Sequence, residues 1–456
     1  MNTPIVVLKN IHTLVSMTGE RANPFAAIRN AAVVIRGNVI DWIGPSQALP
    51  TFKNDVETIE LNDHIVLPGL INTHHHLFQT LTRAIAQDCE LFDWLKTLYP
   101  IWCRMDNEAI YTSALTGMAE LIYSGCTTTS DHLYIYPHDC HIDDEIRAAQ
   151  EIGIRFHASR GSMSLGESKG GLPPDQATED ENDILRDTQR VIEAYHDASR
   201  YSMLRIAVAP CSPFSVTTVL MRESAKLARH YGVMLHTHLA ETHDEDTFCE
   251  ARFGMSPLDY AETVGWLASD AWYAHGVYFT PSDIDRLVRN GCGVAHCPTS
   301  NMRLASGAAP IHLMLKQGLK VGLGVDGSAS NDSSHLLSEA RQSMLLQRIR
   351  NGASAFGARD ALWMATRGGA AVLGRDDIGQ ISPGYAADLI AINLNRLEYA
   401  GALQDPAAAL VFCAPLGVDF SMINGHVVVQ EGHLTTMDTG TLVTRHNAIS
   451  RRLLAG

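Results

Sequence analysis

Eight short apolar runs, spaced by stretches of helical periodicity, fill the middle of this chain, and each closes on chemically capable residues. They end near His74 to His76, Asp131-His132, His157 to Arg160, Pro210-Cys211, His236 to Glu241, His275, His296-Cys297 and Val325-Asp326. Strands alternating with helices build parallel βα units. Eight such units over about 300 residues are what a (β/α)8 TIM barrel requires, and that fold collects the C-terminal strand ends on one catalytic face. Between the first two runs, Asp106 to Ser124 has the pattern of a helix. Asp106 can cap it, Ile110, Ala114, Met118 and Leu121 share a face, and Gly125 stops it.

The chain ends have a different texture. Ile5 to Leu8, Ala32 to Ile35 and Val39 to Ile43 read as short strands, and so do Asp388 to Ile392, Leu410 to Phe412 and Val427 to Val429. Gly425-His426 and Glu431-Gly432-His433 fit hairpin turns. The expected fold is α/β, a (β/α)8 barrel over residues 63–380 with a small β-sandwich domain made from residues 1–62 and 381–456. Two segments are long for βα loops: Leu77 to Met105, with Phe92, Trp94, Tyr99 and Trp102, and Ser162 to Asp183, rich in Gly, Pro and acids. Long loops on the catalytic face act as lids or substrate walls, and the second can equally be a surface excursion.

A formal charge of −15 argues against nucleic acid as partner, because phosphate binding depends on Lys and Arg. No apolar run approaches the roughly 20 residues that span a bilayer. Met1-Asn2-Thr3-Pro4 has no charged leader, and nine scattered cysteines without a paired framework favour a reducing compartment, so a cytoplasmic protein is expected. The partner expected is a small molecule. A symmetric homo-oligomer is expected on frequency alone.

On an extended strand, alternate side chains share a side, so His74 and His76 can reach one metal ion while His75 faces away. His238 and Asp326 also fall at strand ends. Imidazoles with one carboxylate suit Zn²⁺, with Fe²⁺ the other choice, and leave a position for water, whose pKa such an ion brings to about 7. Glu241, three residues past His238, can lean over that ion, and His275 and Asp326 can handle protons. A lone strand-end histidine is more often structural, so His132, His157, His236 and His296 are read as core or supporting groups.

Three familiar patterns are coincidental. Gly322 to Gly327 matches GxGxxG, but its first glycines lie inside a strand. Gly166 to Gly170 matches GxSxG in a polar loop without a preceding strand. His243-Asp244-Glu245 matches HxE, yet Phe214 stands where the second Cys of PCxxC belongs.

PGLINTHHH at Pro68 to His76, HTHLAE at His236 to Glu241, AHG around His275, HCPTSNMRLASG at His296 to Gly307 and GLGVDGSASND at Gly322 to Asp332 resemble the amidohydrolase superfamily. The resemblance is to its branch of cytosine, guanine and S-adenosylhomocysteine deaminases and s-triazine hydrolases. ISPGYAADLIAI resembles the segment that returns these chains to their β domain. The resemblance implies metal ligands His74, His76, His238 and Asp326. It also implies a single ion, because no Lys stands in Arg205 to Cys211, where dinuclear members carry a carboxylated one. It gives Asp326 and His275 the task of deprotonating water and Glu241 that of passing a proton to a ring nitrogen. Gln79 matches the position of an amide that reads the ring, and Trp94 can stack on a base. Cys211 replaces the His of the nucleoside enzymes. The series DWLKTLYPIW, SDHLYIYP, HASRGSMS and APCSPFSV most resembles deaminases of oxidised purine bases, which implies 8-oxoguanine as substrate and isocytosine as a minor one. A barrel that had lost its chemistry would carry a broken ligand set, and this one is complete.

Overall fold

The computed structural model describes residues 4–53 and 56–456, so Met1 to Thr3 of the amino-terminal stretch lie outside the described residues. Eight parallel strands close into a barrel: Leu70–Asn72, Cys126–Leu133, Arg155–Ser162, Leu204–Pro210, Met234–Leu239, Ala271–His275, Gly293–His296 and Lys320–Leu323. These are the eight runs marked in the sequence. The ring shuts where Leu323 pairs with Asn72. Asn72 also stitches that seam, donating to Thr129 Oγ1 at 3.0 Å and accepting the Val325 N–H at 2.9 Å. The chain needs Gly69 just before the first strand, since a Cβ there would stand 2.0 Å from Thr127 Oγ1.

The helix Asn107–Tyr123 forms as its sequence requires. The Asp106 carboxylate accepts the Ala109 N–H at 2.9 Å, and Gly125 takes φ 92 past the end. Leu77 to Met105 is not the open loop its length suggested. It holds a 3₁₀ segment, Leu77–Thr82, and a helix, Leu91–Trp102, with Pro100 in the last turn. The apolar faces of Trp94, Leu98, Tyr99 and Trp102 bury this helix on the barrel mouth. Ser162 to Asp183 forms short 3₁₀ turns and runs into the helix Glu181–Tyr195.

Both chain ends supply one nine-stranded sheet, in which His64–Pro68 from the amino-terminal part pairs antiparallel with Leu389–Asn393. An antiparallel bridge between Val39 and Ala386 ties the edge strand Val39–Pro45 to the segment entering Leu389–Asn393. The sheet therefore curls over its own apolar face, lined by Leu8, Ile11, Val33, Ile35, Leu389 and Met422. His64–Pro68 belongs to this sheet, so the chain crosses to the barrel at Gly69 and not at residue 63. Asn424-Gly425 and Glu431-Gly432 form the hairpin turns, all four at positive φ. Leu410 to Phe412 is corrected from strand to helix. Pro406 opens Pro406–Phe412, and Asp405 caps it by accepting the Ala408 N–H at 3.0 Å.

One buried ion pair joins barrel to sheet. Arg155 Nε and Nη2 each lie 2.9 Å from an Asp388 carboxylate oxygen, and Arg155 Nη1 donates to the carbonyls of Tyr201 and Ser202. Asp388→Ala should destabilise the fold by about 3–5 kcal/mol, because it strands a buried guanidinium. Denaturant unfolding reads this, and a loss below about 1 kcal/mol, the worth of an exposed pair, would reduce the contact to a surface one.

Candidate active site

The C-terminal strand ends bring the ligand-type residues to one point. His76 Nε2 and His238 Nε2 lie 3.0 Å apart, and Asp326 Oδ1 stands 3.3 Å from His74 Nε2 and 3.4 Å from His76 Nε2. All four side chains are buried. What each ring does with its other nitrogen decides the chemistry. His236 Nδ1 donates to the Trp272 carbonyl at 3.0 Å, leaving its Nε2 to accept from His74 Nδ1 at 2.8 Å. His76 Nδ1 donates to the His132 carbonyl and His238 Nδ1 to the Cys211 carbonyl, both at 2.7 Å. With every Nδ1 proton so committed, three Nε2 lone pairs face one another and a carboxylate oxygen. Lone pairs 3.0 Å apart repel unless a cation lies among them, and His74 Nε2 has no hydrogen-bond partner. Burial drives His74 and His76 below the ordinary histidine range and His238 down to about 3, which keeps the rings neutral. Three such nitrogens and one oxygen fit a single Zn²⁺ or Fe²⁺.

Proton-handling groups adjoin this cluster. Glu241 Oε2 is 3.4 Å and Asp326 Oδ2 4.0 Å from His275 Nε2, while His275 Nδ1 is held by Asn301 Oδ1 at 2.9 Å. Burial pushes the Glu241 carboxyl up to about 7, and its Oε1 has no partner. Ala240, His275 and Asp326 all have positive φ, at 56, 75 and 60. Left-handed backbone at three non-glycine positions is strain concentrated where side chains must be aimed off the ends of strands.

An opening leads to the cluster. His76, His238, Glu241, His275 and Asp326 form its polar floor, and Leu91, Trp94, Leu95, Phe214 and Leu304 its apolar wall. Gln79 also lines it. Gln79 Nε2 donates to the Tyr134 hydroxyl at 3.4 Å, and Oε1 is unpartnered. A side chain at Gly327 would displace it, since a Cβ there would stand 1.8 Å from Gln79 Oε1. Trp94 lines the wall with its Nε1 donating to the Ala329 carbonyl at 3.1 Å. Cys211 lines it too, but its thiol is pushed up to about 12 by burial, and its carbonyl is what orients His238. No residue of Ser162 to Asp183 is among the lining residues.

Of the histidines read as core groups, His236 contacts the His74 ring directly. His132 Nε2 donates to the Ala209 carbonyl at 2.7 Å, and His157 faces Arg375. Tyr134 and Asn301 were missed. Each sat inside a quoted motif, but only the fold shows which side chain it meets.

A model of the amidohydrolase family matches residues 65–428. The chain belongs to the amidohydrolase family. Among its relatives, 8-oxoguanine deaminase of Pseudomonas aeruginosa is 46% identical over 93% of this chain and 95% of its own length. Hydroxydechloroatrazine ethylaminohydrolase of Pseudomonas sp. strain ADP is 38% identical over 98% and 95%. In three dimensions this amidohydrolase is similar to the atrazine chlorohydrolase of Arthrobacter aurescens TC1, crystallised with zinc. The TM-score is 0.92 at 31% identity, covering 98% of this chain and all of that one. No helix among the described residues is long and apolar enough to cross a membrane.

Proposed function

We propose that this amidohydrolase deaminates an oxidised purine base, converting 8-oxoguanine and water to urate and ammonia, with isocytosine as a minor substrate. The observation that carries the reading is one pocket in which three imidazole lone pairs and a carboxylate meet two unpartnered side-chain oxygens, on Glu241 and Gln79. The similarity to the Pseudomonas aeruginosa enzyme supports the choice of base.

His74, His76, His238 and Asp326 would hold one divalent ion, whose Lewis acidity makes water ionisable near neutral pH. Asp326, with His275 beside it, takes a proton from the water whose oxygen adds to C2 of the base. Glu241 passes a proton to the adjacent ring nitrogen as that bond forms. The C2–amino bond then breaks, and the same groups return a proton to the departing nitrogen, which leaves as ammonia. Gln79 presents an acceptor and a donor to the ring edge, and Trp94 supplies an apolar face for stacking.

The metal-loaded protein should release urate and ammonia from 8-oxoguanine, measured by absorbance and coupled ammonia assay. Absence of turnover, with release of amine from a hydroxylated s-triazine instead, would move the assignment to the second relative's chemistry. Gln79→Leu should cost about 1–3 kcal/mol in kcat/KM, the penalty for leaving polar ring atoms unpaired. An unchanged kcat/KM would remove Gln79 from the reading.

A further inference from the structure

Thr242-His243-Asp244-Glu245 opens the helix His243–Phe253 with a capping-box sequence, in which the Glu ordinarily reaches back to the N–H of the capping residue. Thr242 does its part, its Oγ1 accepting the Glu245 N–H at 3.4 Å. Glu245 reaches further back. Its Oε1 accepts the N–H of Ala240 at 3.0 Å and its Oε2 that of Glu241 at 2.9 Å, with the side chain buried. A cap on an exposed helix end needs no buried carboxylate, and burying one is costly.

The two amides flank a strained residue. Ala240 stands at φ 56, and its carbonyl accepts the Tyr278 N–H at 3.0 Å. Its peptide units are therefore held on both sides in a conformation that alanine rarely adopts. The kink turns the chain off the line of Met234–Leu239 and brings Glu241 Oε2 to 3.4 Å from His275 Nε2. We propose that Glu245 is a positioning residue: by accepting two consecutive amides it holds Ala240 left-handed and so aims the Glu241 carboxyl into the pocket. The proposal rests on the role given to Glu241 above.

Glu245→Gln keeps the shape but turns an amide NH₂ toward an N–H that needs an acceptor. It should lower kcat about 10–100-fold, the scale of a catalytic group displaced by an ångström, with KM and metal content near wild type. Adding Ala240→Gly should restore much of that loss, since glycine takes positive φ freely. A crystal structure of Glu245→Gln should show the Glu241 carboxyl displaced from His275. Wild-type kcat in Glu245→Gln alongside an inactive Glu241→Gln would overturn the positioning role and leave the function standing. Full activity in Glu241→Gln would instead remove the role given to Glu241, on which this proposal rests. Loss of metal or of folding in Glu245→Gln, or Glu241 found in place, would also overturn the proposal, the last of these without any assay.

Discussion

Glu241→Gln should lower kcat by about 10²–10⁴-fold, the usual contribution of a positioned proton donor, and leave metal content and KM near wild type. The amide has the size of the carboxyl and can still donate a hydrogen bond. It cannot give up a proton and take it back. The Glu241 carboxyl is buried and lines the pocket, one oxygen lies 3.4 Å from His275 Nε2 and the other has no hydrogen-bond partner. That oxygen is the one free to meet a ring nitrogen. Burial raises this group toward neutrality, so it can hold a proton where most glutamates are ionised. Steady-state kinetics with metal analysis on the same preparation decides the matter. A kcat within a few-fold of wild type at full metal loading would leave the proton transfer to His275 and Asp326 alone.

The barrel was legible because its strands are buried on both faces and so read as continuous apolar runs with sharp polar ends. The clustering of His74 and His76 was legible for a related reason: they sit two apart, on a spacing that only an extended strand turns into shared direction. What escaped has equally physical causes. A run of three apolar residues such as Leu410 to Phe412 has no periodicity to reveal, and the decisive signal was Asp405-Pro406, a cap followed by a first-turn proline. The helix Leu91–Trp102 was obscured by Pro100, which falls in its last turn and ends nothing before it. The supporting contacts were invisible on principle. Asn301 meets His275 and His236 meets His74 across 26 and 162 residues of sequence, and no local pattern encodes those meetings. Glu245 is the intermediate case. A capping box at this spacing takes Thr242 as its target, and only the kink at Ala240 redirects Glu245.

Asp326→Asn should have the larger effect, because one carboxylate is asked to do two things. Oδ1 lies within 3.4 Å of two imidazole nitrogens, while Oδ2 looks toward His275 at 4.0 Å and accepts from Ser330 Oγ at 3.3 Å. Asparagine matches its shape and, unlike most residues, tolerates the left-handed φ of 60 found here, so the substitution leaves the backbone alone and removes charge. Losing the charge weakens the cation site, since the three remaining donors are all neutral. Losing the second oxygen's basicity removes the acceptor for the water's proton, worth a further 10²–10⁴-fold or about 3–5 kcal/mol in the barrier. Metal content should therefore fall, and kcat per bound metal should fall with it. Restoring metal with excess zinc should recover occupancy without recovering rate. If zinc restores both, Asp326 serves only as a ligand and the water's proton goes to His275. That outcome would shift the base from the eighth strand to the sixth, to a ring whose other nitrogen is held by Asn301.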